Sequence, residues 1–205
     1  ALVSGTQLVQ KYRAGAWQPY AKDELVDVLV QDVLNTPPYV RISRMIRDIS
    51  ATDILVGNKH TKPRQMVEHE LAAKDVARRV QEIRFREINQ QQVHAAELTL
   101  QDFTYTTAVS DEHFLPWVTA DNKIAGFCRL SLPHWDKLTS GACDVSADEL
   151  LVQPGQAMIR ELHVYGQALS LGSEGMSAQH QGLGQKLLAK ASSIAAEAGY
   201  TSLNV

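Results

Sequence analysis

The chain has 205 residues, 44% of them hydrophobic and 21% charged, with a net charge of −3. This is the composition of an ordinary soluble globular protein, long enough for one domain and a large part of another. It excludes a membrane-spanning helix, because no run of eighteen apolar residues occurs, and a disulfide framework, because the two cysteines, Cys128 and Cys143, form no C-x-x-C pair.

Residues 1–20 begin on a short apolar run without a basic and small-residue leader pattern. A reducing, cytoplasmic location is the expectation. Ala21 to Asn35 predicts a helix. Asp23 and Glu24 lie in its first turn, Leu25, Val26, Leu29, Val33 and Leu34 form an apolar stripe, and Thr36-Pro37-Pro38 stops it. Tyr39 to Ile49 alternates Val40, Ile42 and Ile49 with Arg41, Ser43 and Arg47, which predicts a strand with one basic face. A helix followed by a strand is the unit of a parallel α/β sheet or barrel. Thr61 to Glu87 predicts a second helix, with Pro63 in its first turn and an arginine-rich end.

Charge is unevenly distributed. Residues 41–86 hold eleven Lys/Arg against six Asp/Glu, a local +5 that leaves −8 for the remainder. A basic segment in an acidic chain is a candidate polyanion footprint; charge alone favours a solvated helix face.

From Ala95 the texture changes to β. Ala96–Ala108 and Phe114–Ala120 read as strands, and Ile124–Leu132 returns after a turn at Asp121-Asn122-Lys123. Residues 133–156 read as a loop or insertion. Met158 to Val164 reads as a central strand, with Ile159, Glu161 and His163 expected on one face and Leu162 and Val164 on the other. Gly166 then marks a bend or bulge. After a Gly/Ser-rich loop, Gln179-His180-Gln181-Gly182-Leu183-Gly184 runs into a helix striped by Leu187, Leu188, Ala191, Ile194 and Ala195. Gly199 caps it, and Thr201–Val205 begins another strand.

A Gly-rich turn opening a helix lets a ligand approach the backbone, where free N–H groups and the positive dipole end favour a phosphate. The G-x-G-x-x-G and G-x-x-x-x-G-K-[ST] patterns both fail here; Gln179, Gly182 and Gly184 fit Q-x-x-G-x-G. This loop resembles the pyrophosphate loop of GNAT-type N-acetyltransferases. Together with Arg160-Glu161-Leu162-His163-Val164-Tyr165-Gly166, with Pro37-Pro38 and with Arg47-Asp48-Ile49, it resembles the catalytic subunit of Elongator and its single-subunit archaeal and bacterial relatives.

The resemblance implies an α/β (α+β) protein. Residues 1–60 are expected to be the last helix–strand unit of a radical SAM barrel, 61–93 a helical linker, and 94–205 a GNAT-type acetyltransferase fold that is incomplete at its C-terminal end. It implies a carboxymethylation of the tRNA wobble uridine, with acetyl-CoA as cofactor. S-adenosylmethionine and a [4Fe-4S] cluster are expected only in a longer protein, and the three-cysteine motif for that cluster does not occur here. Acetyl-CoA would lie on Glu161, Leu162, His163, Val164, Gln179, Gln181, Gly182, Leu183 and Gly184. Glu161 and His163 are candidate catalytic groups, although structural pairing with Arg160 or with a neighbouring strand serves Glu161 equally well. Phosphates of tRNA would meet Arg41, Arg44, Arg47, Lys59, Lys62, Arg64, Arg78, Arg79, Arg84 and Arg86. Elongator-type subunits or a second copy of the chain are further expected partners. The family holds a zinc on cysteines where this chain has Val80, Glu82 and Phe85, so no zinc is expected. Two other readings are an N-acetyltransferase of protein or small molecule, and a non-catalytic tRNA-binding module.

Overall fold

A computed structural model describes residues 1–47, 49–59, 62–89, 93–140, 152–165 and 182–205. They divide into two compact units, Ala1–Phe85 and Arg86–Val205. No helix among the described residues is long and apolar enough to cross a membrane.

In the first unit, strands β1 (Leu2–Val3) and β2 (Ile54–Val56) pair antiparallel. The helices are α1 (Leu8–Arg13), α2 (Lys22–Asn35) and α3 (Pro63–Ala73). Helix α2 begins where expected: the Ala21 N–H donates to Glu24 Oε2 at 2.7 Å. It ends where Thr36 Oγ1 donates to the Asp32 carbonyl at 2.6 Å, ahead of Pro37. Its stripe buries Leu29, Val30 and Val33 against Val67 and Leu71 of α3 and against Val80.

Two expectations fail in this unit, each for a local reason. The helix expected over 61–87 stops at Ala73, because Asp75 adopts a left-handed conformation (φ 52°). The Val76 N–H then bonds Leu71 O at 3.0 Å and the Asp75 N–H bonds Ala72 O at 3.1 Å, a Schellman termination that uses Asp where Gly is commoner. A 3₁₀ turn at Ala77–Arg79 and the four-residue helix α4 (Ile83–Arg86) follow. The strand expected over 39–49 does not form among its described residues. Side chains take the place of a ladder, as described below.

The second unit is a sheet with six strands among the described residues: β3 (Thr99–Leu100), β4 (Phe103–Thr106), β5 (Ser110–Val118), β6 (Ile124–Pro133), β7 (Gln156–Val164) and β8 (Ser202–Asn204). The order is β3-β5-β6-β7-β8, with β4 also on β5. All pairings are antiparallel except β7 with β8. The single strand expected over 96–108 is interrupted at Gln101-Asp102. Strand β5 starts four residues earlier than expected, and a short helix α5 (Trp135–Thr139) enters the expected loop.

Helix α6 (Leu183–Glu197) lies on one face of this sheet. Its Leu187, Ala191, Ile194 and Ala195 pack on Leu115, Cys128, Leu130, Leu132, Ala157 and Ile159. Gly199 (φ 88°) ends it as expected, with Tyr200 N–H on Ala195 O at 2.9 Å. Leu187 is fully buried, and truncating such a leucine costs about 2–5 kcal/mol.

The face assignment on β7 needs correction. Arg129 pairs with Glu161 and its neighbour Leu130 with Ile159, so Arg160 is an extra residue, a β-bulge. The bulge reverses the alternation. Ile159 faces the α6 core, while Glu161 and His163 lie opposite Arg129 and Phe127 on the other face.

Candidate functional site

Helix α6 starts at Gly182, whose φ of 67° is left-handed and suits glycine. Among the described residues no side chain caps this end, and no acid sits in the first turn. Among the described residues, the first-turn N–H groups have neither a side-chain acceptor nor a nearby carboxylate to answer the dipole. Lys186 stands exposed in that turn, where the dipole disfavours a cation. Sequence reading passed it over; a lysine so early in a helix was the available signal.

Beside this helix end runs the second half of β7. A Cβ added to Gly184 would lie 3.7 Å from Val164 Cγ2 and 4.0 Å from Leu162 Cδ2, so strand and helix start meet here. Leu162 is 37% exposed, unusual for a leucine on an inner strand. Strand β8 covers only Gln156, Ala157 and Met158 of β7. Gly126, which sequence reading also missed, faces Val164 from β6. A Cβ there would come within 2.9 Å of the His163 carbonyl oxygen, so glycine sets the spacing of β6 and β7 at this point.

The two catalytic candidates lie on the opposite sheet face. Glu161 Oε2 accepts a 2.9 Å bond from Arg129 Nε, the partner on a neighbouring strand. His163 stacks on Phe127 with ring centroids 6.0 Å apart and meets Tyr165 at 4.4 Å. Tyr165 is fixed by its hydroxyl, which donates to Glu87 Oε1 at 2.9 Å, and by its N–H on the Ala125 carbonyl. The Cys128 thiol, fully buried, is pushed up to about 12 by burial and is no nucleophile. Of the expected loop contacts, Leu162, Val164, Gly182, Leu183 and Gly184 come together. Gln179, Gln181 and Gly166 lie outside the described residues.

The basic residues separate into three groups. Arg41, Arg44, Arg47, Lys59, Lys62, Arg78, Arg79 and Arg84 are exposed. Arg44, Lys62, Arg64 and Arg84 line one cleft at the start of α3. Arg64 is half-buried; desolvation lowers its pKa, Glu82 opposes that shift and Arg84 adds to it. Arg86 is a correction to the surface set: it is 3% exposed, and its Nη1 donates to Asn122 Oδ1 at 3.0 Å, bracing the β5–β6 turn. A second cleft, between α2 and α3, has Lys74 on both Asp27 and Glu70.

The positions that carry zinc-holding cysteines in the resembled family do not fit a zinc here. Val80 and Phe85 have no ligand atom. Glu82, fully buried, already accepts the N–H groups of Ile42 at 2.5 Å and Phe85 at 3.0 Å.

Residues 1–73 match the Radical_SAM C-terminal domain. The tRNA uridine(34) acetyltransferase of Dehalococcoides mccartyi is 36% identical over 100% of this chain and 43% of its own length. The chain is a relative of the Elongator catalytic subunit. Elongator complex protein 3 is 28% identical in Homo sapiens, over 96% of this chain and 35% of that protein. In Schizosaccharomyces pombe it is 31% identical, over 95% and 35%. The structure of archaeal Methanocaldococcus infernus Elp3 with an N-terminal deletion superposes with a TM-score of 0.76 at 26% identity, covering 95% of this chain and 45% of that one. The chain thus spans less than half the length of these relatives, and within that span it shares their mixed α/β architecture.

Proposed function

We propose that this chain is the acetyl-CoA-binding portion of a tRNA-modifying enzyme that carboxymethylates the wobble uridine, with its second unit a GNAT-type acetyltransferase fold. The observation that carries this reading is the uncapped N-terminus of α6, glycine at 182 and 184, set against the exposed Leu162 and the Val164 of β7. The printed names of the relatives support it.

In this reading the first-turn N–H groups of α6, with Lys186, hold the pyrophosphate, and the backbone at 162–164 orients the pantetheine arm. When bound, the cofactor supplies an activated acetyl thioester. Arg129 holds Glu161 along the opposite sheet face by its 2.9 Å bond, and Phe127 and Tyr165 hold the His163 ring on that same face. The radical half of the chemistry belongs to a cluster and S-adenosylmethionine that two cysteines cannot hold. Arg41, Arg44, Arg47, Lys59, Lys62, Arg64, Arg78, Arg79 and Arg84 offer tRNA phosphates a basic surface.

Calorimetry tests the reading. The chain should bind acetyl-CoA, Gly184→Trp should abolish binding by filling the gap beside Val164, and Lys186→Ala should weaken it about fivefold to tenfold. Undiminished binding by Gly184→Trp would sink the assignment.

A further inference from the structure

Between α2 and β2 the chain carries Val40 to Ser43 without a strand partner, yet both backbone polar groups of Ile42 and the carbonyls of Val40 and Ser43 are bonded. The Ile42 N–H donates to Glu82 Oε1, and the Ile42 carbonyl accepts Arg64 Nη2 at 2.7 Å. Arg84 Nη1 donates to the Ser43 carbonyl at 3.0 Å, and the Ile83 N–H donates to the Val40 carbonyl at 3.1 Å. Glu82 closes the group: its second oxygen accepts the Phe85 N–H and lies 3.6 Å from Arg64 Nη1. The Arg64 guanidinium rests 5.1 Å over the Phe85 ring. Glu82 is fully buried and the Arg64 side chain is 19% exposed, so this pair sits in a low-dielectric setting.

We propose that Glu82 and Arg64 form a metal-independent clamp that takes over the crosslinking role of the family's zinc and fixes the basic 40–44 loop against residues 82–85. The observation behind it is chemical. Two of the three family ligand positions have become the clamp's parts: the buried carboxylate of Glu82, and the ring of Phe85 on which the guanidinium lies. A tetrahedral thiolate site ties distant segments by coordinate bonds; here residues 40 and 22 positions apart in sequence are tied by charge-assisted hydrogen bonds. A buried carboxylate needs its lone pairs filled. Two backbone amides bond the two oxygens of Glu82, and the guanidinium of Arg64 balances its charge at 3.6 Å. The exposed Arg41 and Arg44 flank Ile42 and Ser43, so the clamp sets where their charges stand. The clamp holds whether or not the chain binds RNA.

Metal analysis, thermal melts with and without EDTA, and amide hydrogen exchange on the purified chain test this, with Glu82→Leu, Arg64→Met and the double variant alongside. The parent should carry no stoichiometric zinc and melt at the same temperature with chelator. In Glu82→Leu the amides of Ile42 and Phe85 should exchange about tenfold faster or more, while those of α2 stay protected. The double variant should recover much of the Tm lost in Glu82→Leu, because no charge is then stranded. Stoichiometric zinc whose removal lowers Tm, or unchanged exchange of Ile42 and Phe85 in Glu82→Leu, overturns the proposal. Should Glu82→Leu not fold, the double variant decides: folding supports the clamp, and failure while Arg64→Met folds normally overturns it.

Discussion

Among the described residues each unit buries one glutamate, and the two are held in different ways. Glu82 is 0% exposed and takes its bonds from backbone amides and an arginine brought in from elsewhere in the first unit. Glu112 is 2% exposed and lies in the sheet. Its Oε1 accepts Ser110 Oγ at 2.8 Å and Ser131 Oγ at 2.6 Å, and its Oε2 accepts Arg160 Nη1 at 3.1 Å. Ser131 is its direct cross-strand neighbour, so that bond joins strands that the ladder already joins. The residue that bulges out of β7 is the one that reaches Glu112. The same charge therefore serves two purposes: in the sheet it adds to pairing, and in the first unit it replaces pairing.

The largest effect should come from Glu82→Ala, which strands a half-buried guanidinium and two amides and should cost about 3–5 kcal/mol in urea unfolding. Next is Glu112→Ala. It leaves two hydroxyls free to rotate and an arginine that is 52% exposed, so the loss should be about 1–2 kcal/mol. Equal losses for the two variants would dissolve the distinction. The smallest effect should come from a surface carboxylate. Asp111 is held below the ordinary aspartate range by hydrogen bonds from His134 and then Thr106. A depressed folded value stabilises above the unfolded pKa of about 3.9 and is lost as pH falls through the folded one. His134→Ala should therefore lower Tm slightly at pH 5–6, a gap that closes when melts are repeated below about pH 3. A gap that widens in acid would reverse that sign.

Much of the fold was legible. Helix α2 announced itself by acids at its start, a 3.6-residue stripe and a double proline at its end. Helix α6 did so by its stripe and Gly199, and the β5–β6 hairpin by its Asp-Asn turn. These signals are local, so one segment suffices to read them. The stop of α3 was not legible, because Asp75 does there what glycine usually does. Alternation at 39–49 read as a strand, but a strand needs a neighbour, and the neighbour here is a set of side chains 22 to 41 residues away. In the candidate site, glycines 182 and 184 were visible by motif. Gly126 and Lys186 drew no notice, since a strand glycine and a helix lysine acquire meaning only beside Val164 and an uncapped helix end.

The sequence by itself determined helices α2 and α6, the β5–β6 hairpin, the Gly-rich entry to the last helix, and the kinship that its motifs carry. It also determined that Val80, Glu82 and Phe85 cannot make a thiolate site, because ligand atoms are a property of residue type. Tertiary structure alone decided that Arg160 bulges and puts Ile159 and Glu161 on opposite faces. It decided too that Arg86 is buried while Arg84 is exposed, and that Glu82 meets Ile42. Each of these depends on which distant groups share one buried volume, where an unpaired charge or amide is costly and geometry selects the partner.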